Sequence, residues 1–188
     1  CYIMELKGSQ TEKNLLEAFS GESMARNKYL FYAEKAGQEN HPEIKELFER
    51  MAKNEGVHGK LLFQKLHNGI GSSNMNLKDA MEGEYNEWTS MYPSFAKTAR
   101  EEGFDDIATL FENISKIEKE HEGQFLTALS DLIKGKQPSS EDPKQQKASL
   151  VDGYRCMFCG ATYEKRPDVC NVCGAIGSFE PAKIQKQQ

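Results

Sequence analysis

The sequence predicts an all-α four-helix bundle followed by a small cysteine-containing domain. From about residue 10 to residue 134, apolar residues recur at the i, i+3, i+4 and i+7 spacing of amphipathic helices. Four of the five cysteines lie near the C-terminal end of the chain. The stretch before them is rich in Pro, Ser, Gln and Lys and has no apolar periodicity, which indicates a flexible linker. We therefore predict a bundle over 1–134, a linker over 135–152 and a second domain over 153–188.

Helix start and stop signals divide the first domain into four helices. Ser9 and Glu12 form a candidate capping box, and Pro42 suits the first turn of a helix because its missing N–H costs nothing there. Glycines, Gly103 among them, mark the later breaks. The expected helices span about 10–38, 42–67, 77–102 and 104–134.

The two helical hairpins formed in this way look like copies of one another. The triplet Leu-Phe-Glu at 47–49 recurs at 110–112, an offset of about 63 residues. A second pattern, Glu-x-x-His, recurs at the same offset. Duplication of a hairpin predicts a bundle with pseudo-twofold symmetry.

The Glu-x-x-His motif has the spacing of a metal site. Residues three apart lie on one face of a helix, so the motif delivers a carboxylate oxygen and an imidazole nitrogen to one point. Two such motifs, with one Glu from each of the other two helices, form a known recipe for di-iron and di-manganese bundles. The residues that satisfy it are Glu22, Glu55, His58, Glu84, Glu118 and His121.

Charge balance favours the same interpretation. Glu87 joins Glu84 on the third helix, so five carboxylates would face the bundle core. They would repel one another, and burying them without compensation would be costly. Two irons bring four to six positive charges, and carboxylate and imidazole ligands suit iron that cycles between ferrous and ferric. Taken singly, any one Glu in such helices would more often be a solvated surface residue.

The cysteines form two knuckles, Cys156-x-x-Cys159 and Cys170-x-x-Cys173. In a chain without a secretory signal, paired motifs of this kind are more often metal ligands than disulfides. Four thiolates suit iron or zinc, and the spacing leaves both open. A domain this small needs a metal to fold.

Composition excludes several classes of function. The chain has 24 Lys and Arg against 29 Asp and Glu, and it has no basic block, which argues against nucleic-acid binding and against attraction to an anionic membrane. No apolar run approaches the roughly 18 residues that span a bilayer, and the N-terminus lacks a signal-peptide layout. We expect a cytoplasmic protein. Met4 is a candidate start, and Cys1 is assigned no role.

Three segments resemble motifs of the rubrerythrin family: GESMARNKY at 21–29, EGEYNEWTSMYPSFAKTAREEGF at 82–104 and EKEH at 118–121. The resemblance covers nearly the whole chain after residue 10. It implies a ferritin-like four-helix bundle with an oxo-bridged di-iron site and a rubredoxin-like domain whose cysteines hold iron. The di-iron ligands implied by position are Glu22, Glu55, Glu84, Glu87, Glu118 and His121.

The resemblance also implies a mechanism. His58 is the exchangeable ligand, which replaces Glu87 on reduction, and Tyr29 and Tyr92 hydrogen-bond a ligand or a bound oxygen species. The implied activity is that of a peroxidase in oxidative-stress defence, which reduces hydrogen peroxide to water. Its electrons come through the rubredoxin-like iron from a donor such as rubredoxin or an NADH-dependent reductase. A homodimer is also implied, with the cysteine domain of one chain beside the di-iron site of the other.

Two other functions remain open on the sequence. Ferritins use a similar bundle for ferroxidase activity and iron storage, although a storage shell has no need of an electron-transfer iron. The cysteines could also form a zinc ribbon, with the bundle as a scaffold. Metal analysis of the intact protein separates the three functions.

Overall fold

The computed structural model describes residues 5–135 and 150–185, which form two compact units that meet in sequence at Gly71 and Ser72. Cys1 and most of the predicted linker, 136–149, lie outside the described residues. The elements are α1 (Gln10–Gln38), α2 (Pro42–Leu66), α3 (Ser73–Asn86), a π-helical turn (Glu87–Met91), α4 (Tyr92–Glu101), α5 (Asp105–Ile133), β1 (Leu150–Cys156), β2 (Thr162–Tyr163) and β3 (Phe179–Gln185).

The first unit is the hairpin of α1 and α2. Its first helix begins as predicted, because Oγ of Ser9 accepts a hydrogen bond from the backbone N–H of Glu12 at 3.1 Å. The Glu12 carboxylate in turn accepts from the backbone N–H of Gly8 at 2.6 Å. Pro42 occupies the first turn of α2. These caps satisfy backbone donors that have no partner inside a helix.

Aromatic rings and small residues join α1 to α2. The ring centroids of Phe19 and Phe63 lie 5.8 Å apart, and those of Tyr32 and Phe48 lie 5.4 Å apart. Such tilted and edge-on pairs add to the stabilisation that comes from burying the rings. Ala33, Ala36 and Ala52 are buried, which allows the two backbones to approach closely.

In the second unit, α3 and α4 pack on α5. Helix α3 begins at Ser73, earlier than the predicted start near Leu77, because Oγ of Ser72 caps it by accepting from the N–H of Met75. The rings of Tyr92 and Phe95 both lie against Phe111, with centroids 6.0 and 5.7 Å from it. This packing repeats that of Tyr29 and Tyr32 against Phe48 in the first unit.

The π-helical turn explains how the second hairpin keeps the Glu–Tyr arrangement of the first although it has one more residue between the two. Glu22 and Tyr29 are seven residues apart in the first hairpin, whereas Glu84 and Tyr92 are eight apart in the second. A π turn takes up more residues than an α turn, so it absorbs the additional one. Tyr92 therefore keeps the position on its helix that Tyr29 has in the first hairpin. The apolar periodicity predicts one uninterrupted helix over this region, and the π turn interrupts it.

The cysteine domain is a three-stranded antiparallel sheet in the order β2-β1-β3. Strand β1 begins at Leu150, so residues 150–152 belong to the sheet rather than to the predicted linker. Ile184 on β3 is fully buried, and Gly153 on β1 leaves room for it. In the described part of the chain, no helix is long and apolar enough to cross a membrane.

Candidate metal centres

The first unit carries a triad of side chains from α1 and α2 that could hold a metal ion. Nδ1 of His58 lies 2.7 Å from Oε2 of Glu55 and 3.7 Å from Oε1 of Glu22. Glu55 and His58 are one turn apart on α2, and Glu22 faces them from α1. The Glu-x-x-His spacing therefore does bring a carboxylate and an imidazole to one point.

The second unit repeats this triad with nearly the same geometry. Nδ1 of His121 lies 2.6 Å from Oε2 of Glu118 and 3.7 Å from Oε1 of Glu84. Helix α5 supplies Glu118 and His121, and α3 supplies Glu84. The duplication read from the sequence is thus a duplication of a three-ligand geometry.

Both triads fit a divalent cation. In each, one ligand atom per residue lies within 4.8 Å of the other two. Bonds of about 2.1 Å in octahedral geometry place neighbouring ligand atoms about 3 Å apart, so small side-chain rotations would suffice to hold a metal. Carboxylate oxygens with one imidazole nitrogen are a donor set suited to iron or manganese.

Two carboxylates of the second unit, which lie close together, have raised pKa values. Burial, a hydrogen bond with Glu118 and the charges of Glu118 and Glu87 raise the pKa of Glu84 to about 7. Burial and the charge of Glu118 also raise the pKa of Glu87, against an opposing effect of His121. The raised pKa values favour protonation of Glu84 and Glu87 when no cation is bound. A bound metal would replace the protons.

The two tyrosines singled out from the sequence occupy matching places. Burial and the nearby charges of Glu87, Glu118 and Glu84 raise the pKa of the Tyr92 phenol, so Tyr92 lies near these carboxylates. Tyr29 packs on Phe48 with ring centroids 6.1 Å apart, much as Tyr92 packs on Phe111. The structure therefore brings Tyr92 to the second triad.

Trp88 is a residue of this region that sequence reasoning missed. Its Nε1 donates to Oε2 of Glu122 at 2.7 Å, and its carbonyl accepts from Oγ of Ser115 at 3.2 Å. Nζ of Lys119 lies over its ring, 5.1 Å from the centroid. These contacts tie the π turn that carries Glu87 to α5. No spacing in the sequence links these residues, since they meet only when the helices pack.

The four cysteines of the second unit converge. Sγ of Cys156 lies 3.7 Å from Sγ of Cys173, and Sγ of Cys159 lies 3.6 Å from Sγ of Cys170. Metal–sulfur bonds of about 2.3 Å in a tetrahedron place the sulfurs about 3.8 Å apart, so these distances fit one metal ion. All four are free thiols, which agrees with metal ligation rather than disulfide formation.

The thiols do not share one environment. Burial raises the pKa of Cys159. At Cys170, burial acts in the same direction but is outweighed by hydrogen bonds from Tyr163 and from the backbone of Cys173 and Val172, which bring its pKa to about 6. Cys170 is therefore the thiol most ready to bind a metal as thiolate.

The cysteine domain packs on α5 of its own chain. Ile117 is 6% exposed and belongs to the same apolar cluster as Cys156, Cys170 and Phe179. Gly160, next to Cys159, faces the His121 side chain. For this reason the second compact unit contains both α5 and the cysteine domain. The arrangement predicted between two chains of a homodimer stays a prediction.

Comparison with known proteins identifies the family. The rubrerythrin family model matches residues 13–129. Rubrerythrin of Porphyromonas gingivalis is 39% identical over 95% of this chain and 92% of its own length. Rubrerythrin-1 of Clostridium acetobutylicum is 37% identical over 91% and 93%, and rubrerythrin of Nitratidesulfovibrio vulgaris is 36% identical over the same shares.

This match confirms the predicted fold class, a ferritin-like helical fold with a rubredoxin-like cysteine domain. It also confirms the predicted cofactors, because rubrerythrins have a di-iron site and a rubredoxin-like iron site. With two carboxylate–histidine triads and a tetracysteine cluster in place, the chain belongs to the rubrerythrin family of di-iron oxidoreductases, which serve in oxidative-stress defence.

Proposed function

We propose that this protein is a peroxidase that reduces hydrogen peroxide to two molecules of water. Rubrerythrins act with peroxide and with redox partners such as rubredoxin, which supports the proposal. The observation that carries it is that helix α5 contributes residues to the carboxylate–histidine triad and also packs against the tetracysteine cluster. It supplies Glu118 and His121 to a triad, and its Ile117 lies in the core of the cysteine domain.

We assign the di-iron ligands to both triads and Glu87. The near-identical distances within the two triads support one iron on each, and the raised pKa of Glu87 indicates that it stands beside Glu118. His58 is assigned as the exchangeable ligand. The full set is Glu22, Glu55, His58, Glu84, Glu87, Glu118 and His121. When bound, the irons supply the two electrons that, with two protons, convert peroxide to two waters.

Tyr92 is assigned the role of a hydrogen-bond donor. The raised pKa of its phenol keeps the hydroxyl protonated at neutral pH, so it can donate to a carboxylate ligand or to peroxide. Tyr29 occupies the matching place in the first hairpin and is assigned the same role.

Electrons are proposed to arrive through the tetracysteine iron. This centre carries one electron at a time, so each peroxide requires two transfers from an external donor such as rubredoxin or an NADH-dependent reductase. We propose a cytoplasmic location, because cysteines at metal-ligand spacing, rather than disulfides, are typical of reducing compartments. A homodimer is proposed from the family resemblance alone.

The decisive experiment replaces iron by zinc in the tetracysteine centre alone. Zinc keeps the tetrahedral site and the fold but has no redox chemistry, so it removes only the proposed relay. We expect the chemically reduced zinc form still to consume about one peroxide per di-iron site, because each peroxide takes up two electrons. Steady-state turnover driven by NADH and a reductase should disappear. Protein with iron in both centres is the matched control.

Two outcomes would contradict the proposal. Equal coupled turnover of the zinc and iron forms would show that the cysteine domain is not the relay. Failure of the reduced iron protein to consume peroxide, together with growth of a mineral core on adding ferrous iron, would favour the ferroxidase and iron-storage alternative. Iron analysis should give three irons per chain if the proposal is right.

A further inference from the structure

Helix α5 holds Trp88 by both its side chain and its backbone. The indole is half-buried, and its Nε1 donates to Oε2 of Glu122 at 2.7 Å. The carbonyl oxygen of Trp88 accepts from Oγ of Ser115 at 3.2 Å. Ser115 and Glu122 are seven residues apart, which is about two turns, so they share one face of α5. Trp88, Ser115 and Glu122 thus form a clamp that ties the π turn to α5.

The bond from Ser115 replaces one that the helix has lost. In an α-helix the carbonyl of Trp88 would accept from the N–H of Tyr92, four residues later. In this structure the N–H of Tyr92 donates instead to the carbonyl of Glu87, which is the π pattern. In that pattern the partner of the Trp88 carbonyl is residue 93, which is Pro93 and has no N–H. The π turn therefore needs a donor from outside its helix, and Ser115 supplies it.

The duplicated hairpin is an internal comparison, because it has neither the clamp nor the carboxylate next to it. The place of Glu87, three residues after the triad glutamate of its helix, is taken by Ala25 on α1. Helix α1 is α-helical throughout. The residues at the three clamp positions, counted from the triad of the first hairpin, are Arg26, Ala52 and Gly59. Clamp, π turn and Glu87 therefore occur together in one hairpin, and none of them occurs in the other.

Glu87 is the residue that the clamp can hold in place. It directly precedes Trp88 and belongs to the same π turn. Burial and the charge of Glu118 raise its pKa and the charge of His121 lowers it, so Glu87 lies near both of these triad residues. Since α5 carries Glu118 and His121 as well as two members of the clamp, fixing Trp88 to α5 also fixes the backbone of Glu87 relative to the triad.

We propose that the clamp is a positioning device that keeps Glu87 at the di-iron site and so sets how readily His58 replaces it. This inference rests on the proposed function, in which His58 is the exchangeable ligand. Trp88, Ser115 and Glu122 are positioning residues, because they hold the backbone that carries Glu87 and are not ligands themselves. The clamp favours the state in which Glu87 is bound, which is the oxidised state.

The consequence is a lower reduction potential at the iron where the ligands exchange. Reduction adds one electron from the external donor, breaks the bond to the Glu87 carboxylate and forms a bond to the His58 imidazole. A contact that strengthens only the Glu87-bound state opposes this reaction. Loss of the clamp should therefore make reduction easier. A tenfold weaker Glu87 bond corresponds to a rise of about 59 mV for one electron.

The test uses full-length protein with iron in the di-iron site and zinc in the tetracysteine centre, so that only the di-iron site changes its absorbance on reduction. Trp88→Phe and Ser115→Ala each remove one bond of the clamp without changing the charge. Glu122→Ala and Glu122→Gln both lose the negative charge, but only Gln keeps an oxygen that accepts from the indole. Thr89→Ala is the control within the π turn, because the Thr89 hydroxyl bonds inside its own helix, to the carbonyl of Tyr85.

Redox titration should separate the clamp from these controls. Trp88→Phe and Ser115→Ala should raise the midpoint potential of the di-iron site by up to about 59 mV, the value for a tenfold weaker Glu87 bond. Glu122→Ala should lie above Glu122→Gln, and Thr89→Ala should match the wild type. Glu87→Ala should raise the potential by itself. In that background Trp88→Phe should have no further effect, because the clamp acts only through Glu87.

A second readout needs no iron. Trp88 is the only tryptophan in the chain, so its fluorescence reports on the clamp directly. In protein without metal in the bundle, acrylamide should quench this fluorescence more strongly in Ser115→Ala and Glu122→Ala than in the wild type. Glu122→Gln and Thr89→Ala should keep the wild-type quenching.

The inference is wrong if Glu87→Ala shifts the potential while Trp88→Phe and Ser115→Ala do not. It is also wrong if Trp88→Phe has the same effect with and without Glu87, since the tryptophan would then act on the whole fold. Ser115→Ala removes a single hydroxyl and introduces a good helix former, so this arm remains decisive if Trp88→Phe folds poorly. An unchanged potential in Glu87→Ala would overturn the ligand exchange in the proposed function, and the inference with it.

Discussion

The phenolic oxygen of Tyr163 lies 3.0 Å from Sγ of Cys170 and 2.6 Å from Oδ1 of Asn171. The single phenol hydrogen is donated to Oδ1 of Asn171 or to sulfur, and because a metal-bound thiolate can only accept, any hydrogen bond between phenol and sulfur in the loaded centre is donated by the phenol. Such a bond stabilises the reduced state of the centre more than the oxidised state, because the reduced state carries more negative charge on sulfur. Tyr163 therefore tunes the centre towards higher potential.

Tyr163→Phe should lower the midpoint potential of the tetracysteine centre. Loss of a differential hydrogen bond of about 1 kcal/mol corresponds to about 40 mV for a one-electron couple. Asn171→Ala is the matched control, since it removes the group that competes for the same phenol hydrogen and should not lower the potential. Redox titration followed by visible absorbance measures both. An unchanged potential in Tyr163→Phe would count against the hydrogen bond.

The raised pKa of Glu84 makes the stability of the metal-free protein depend on pH. This carboxyl titrates near 7 when folded and has an ordinary value of 4.5. Between these values the folded chain holds a proton that the unfolded chain does not. Stability that is fully present below pH 4.5 is therefore lost as the pH rises through 7.

Thermal unfolding of chelator-treated protein should show this loss as a lower Tm at about pH 8 than at about pH 5.5. Glu84→Gln should have a flatter profile, because its amide does not titrate. Divalent metal should abolish the loss at high pH, since it replaces the proton. A Glu84→Gln profile as steep as that of the wild type would assign the effect to other groups.

Glu55→Ala and Glu118→Ala should each remove iron from the di-iron site and leave the tetracysteine chromophore. Loss of a residue that hydrogen-bonds a metal ligand lowers metal affinity by up to about a hundredfold. Loss of the ligand itself should lower the affinity for iron by at least that much. Glu112→Ala is the control on α5, because Glu112 pairs at the surface with Arg100. Iron analysis and visible spectra report the two centres separately. Loss of both chromophores in a folded Glu118→Ala protein would contradict the assignment.

Gly153→Ala should damage the cysteine domain selectively. A Cβ at this position on β1 would overlap Cδ1 of Ile184 and would lie 2.6 Å from the carbonyl oxygen of Tyr163. Overpacking of this kind typically costs about 1–3 kcal/mol, which a domain this small can hardly offset. The tetracysteine absorbance should bleach at lower temperature or denaturant concentration, with di-iron loading unchanged. A wild-type bleaching curve would show that the sheet relaxes around the methyl group.

Local patterns predicted the helices well, and the structure brings six of the predicted helical ligands together in two triads and the four cysteines in one cluster. The bounds of α1 and α2 match the expectation because Ser9 and Pro42 act on backbone groups next to them. The Glu-x-x-His triads follow from helical spacing, and the cysteine knuckles from two short motifs. Ser72 was missed as a cap, so the predicted start of the third helix was four residues late.

The sequence by itself determined the chemistry of this protein, since residue type and short spacing fix which side chains can hold iron. Only the tertiary structure decided which parts of the chain meet. The π turn accommodates the one additional residue by which the second hairpin differs from the first. Trp88, in that turn, donates a hydrogen bond to Glu122 on α5. Gly160 and Gly174 are alike within their motifs, and packing places only Gly160 against His121. Such contacts join residues far apart in the chain, and no local pattern encodes them.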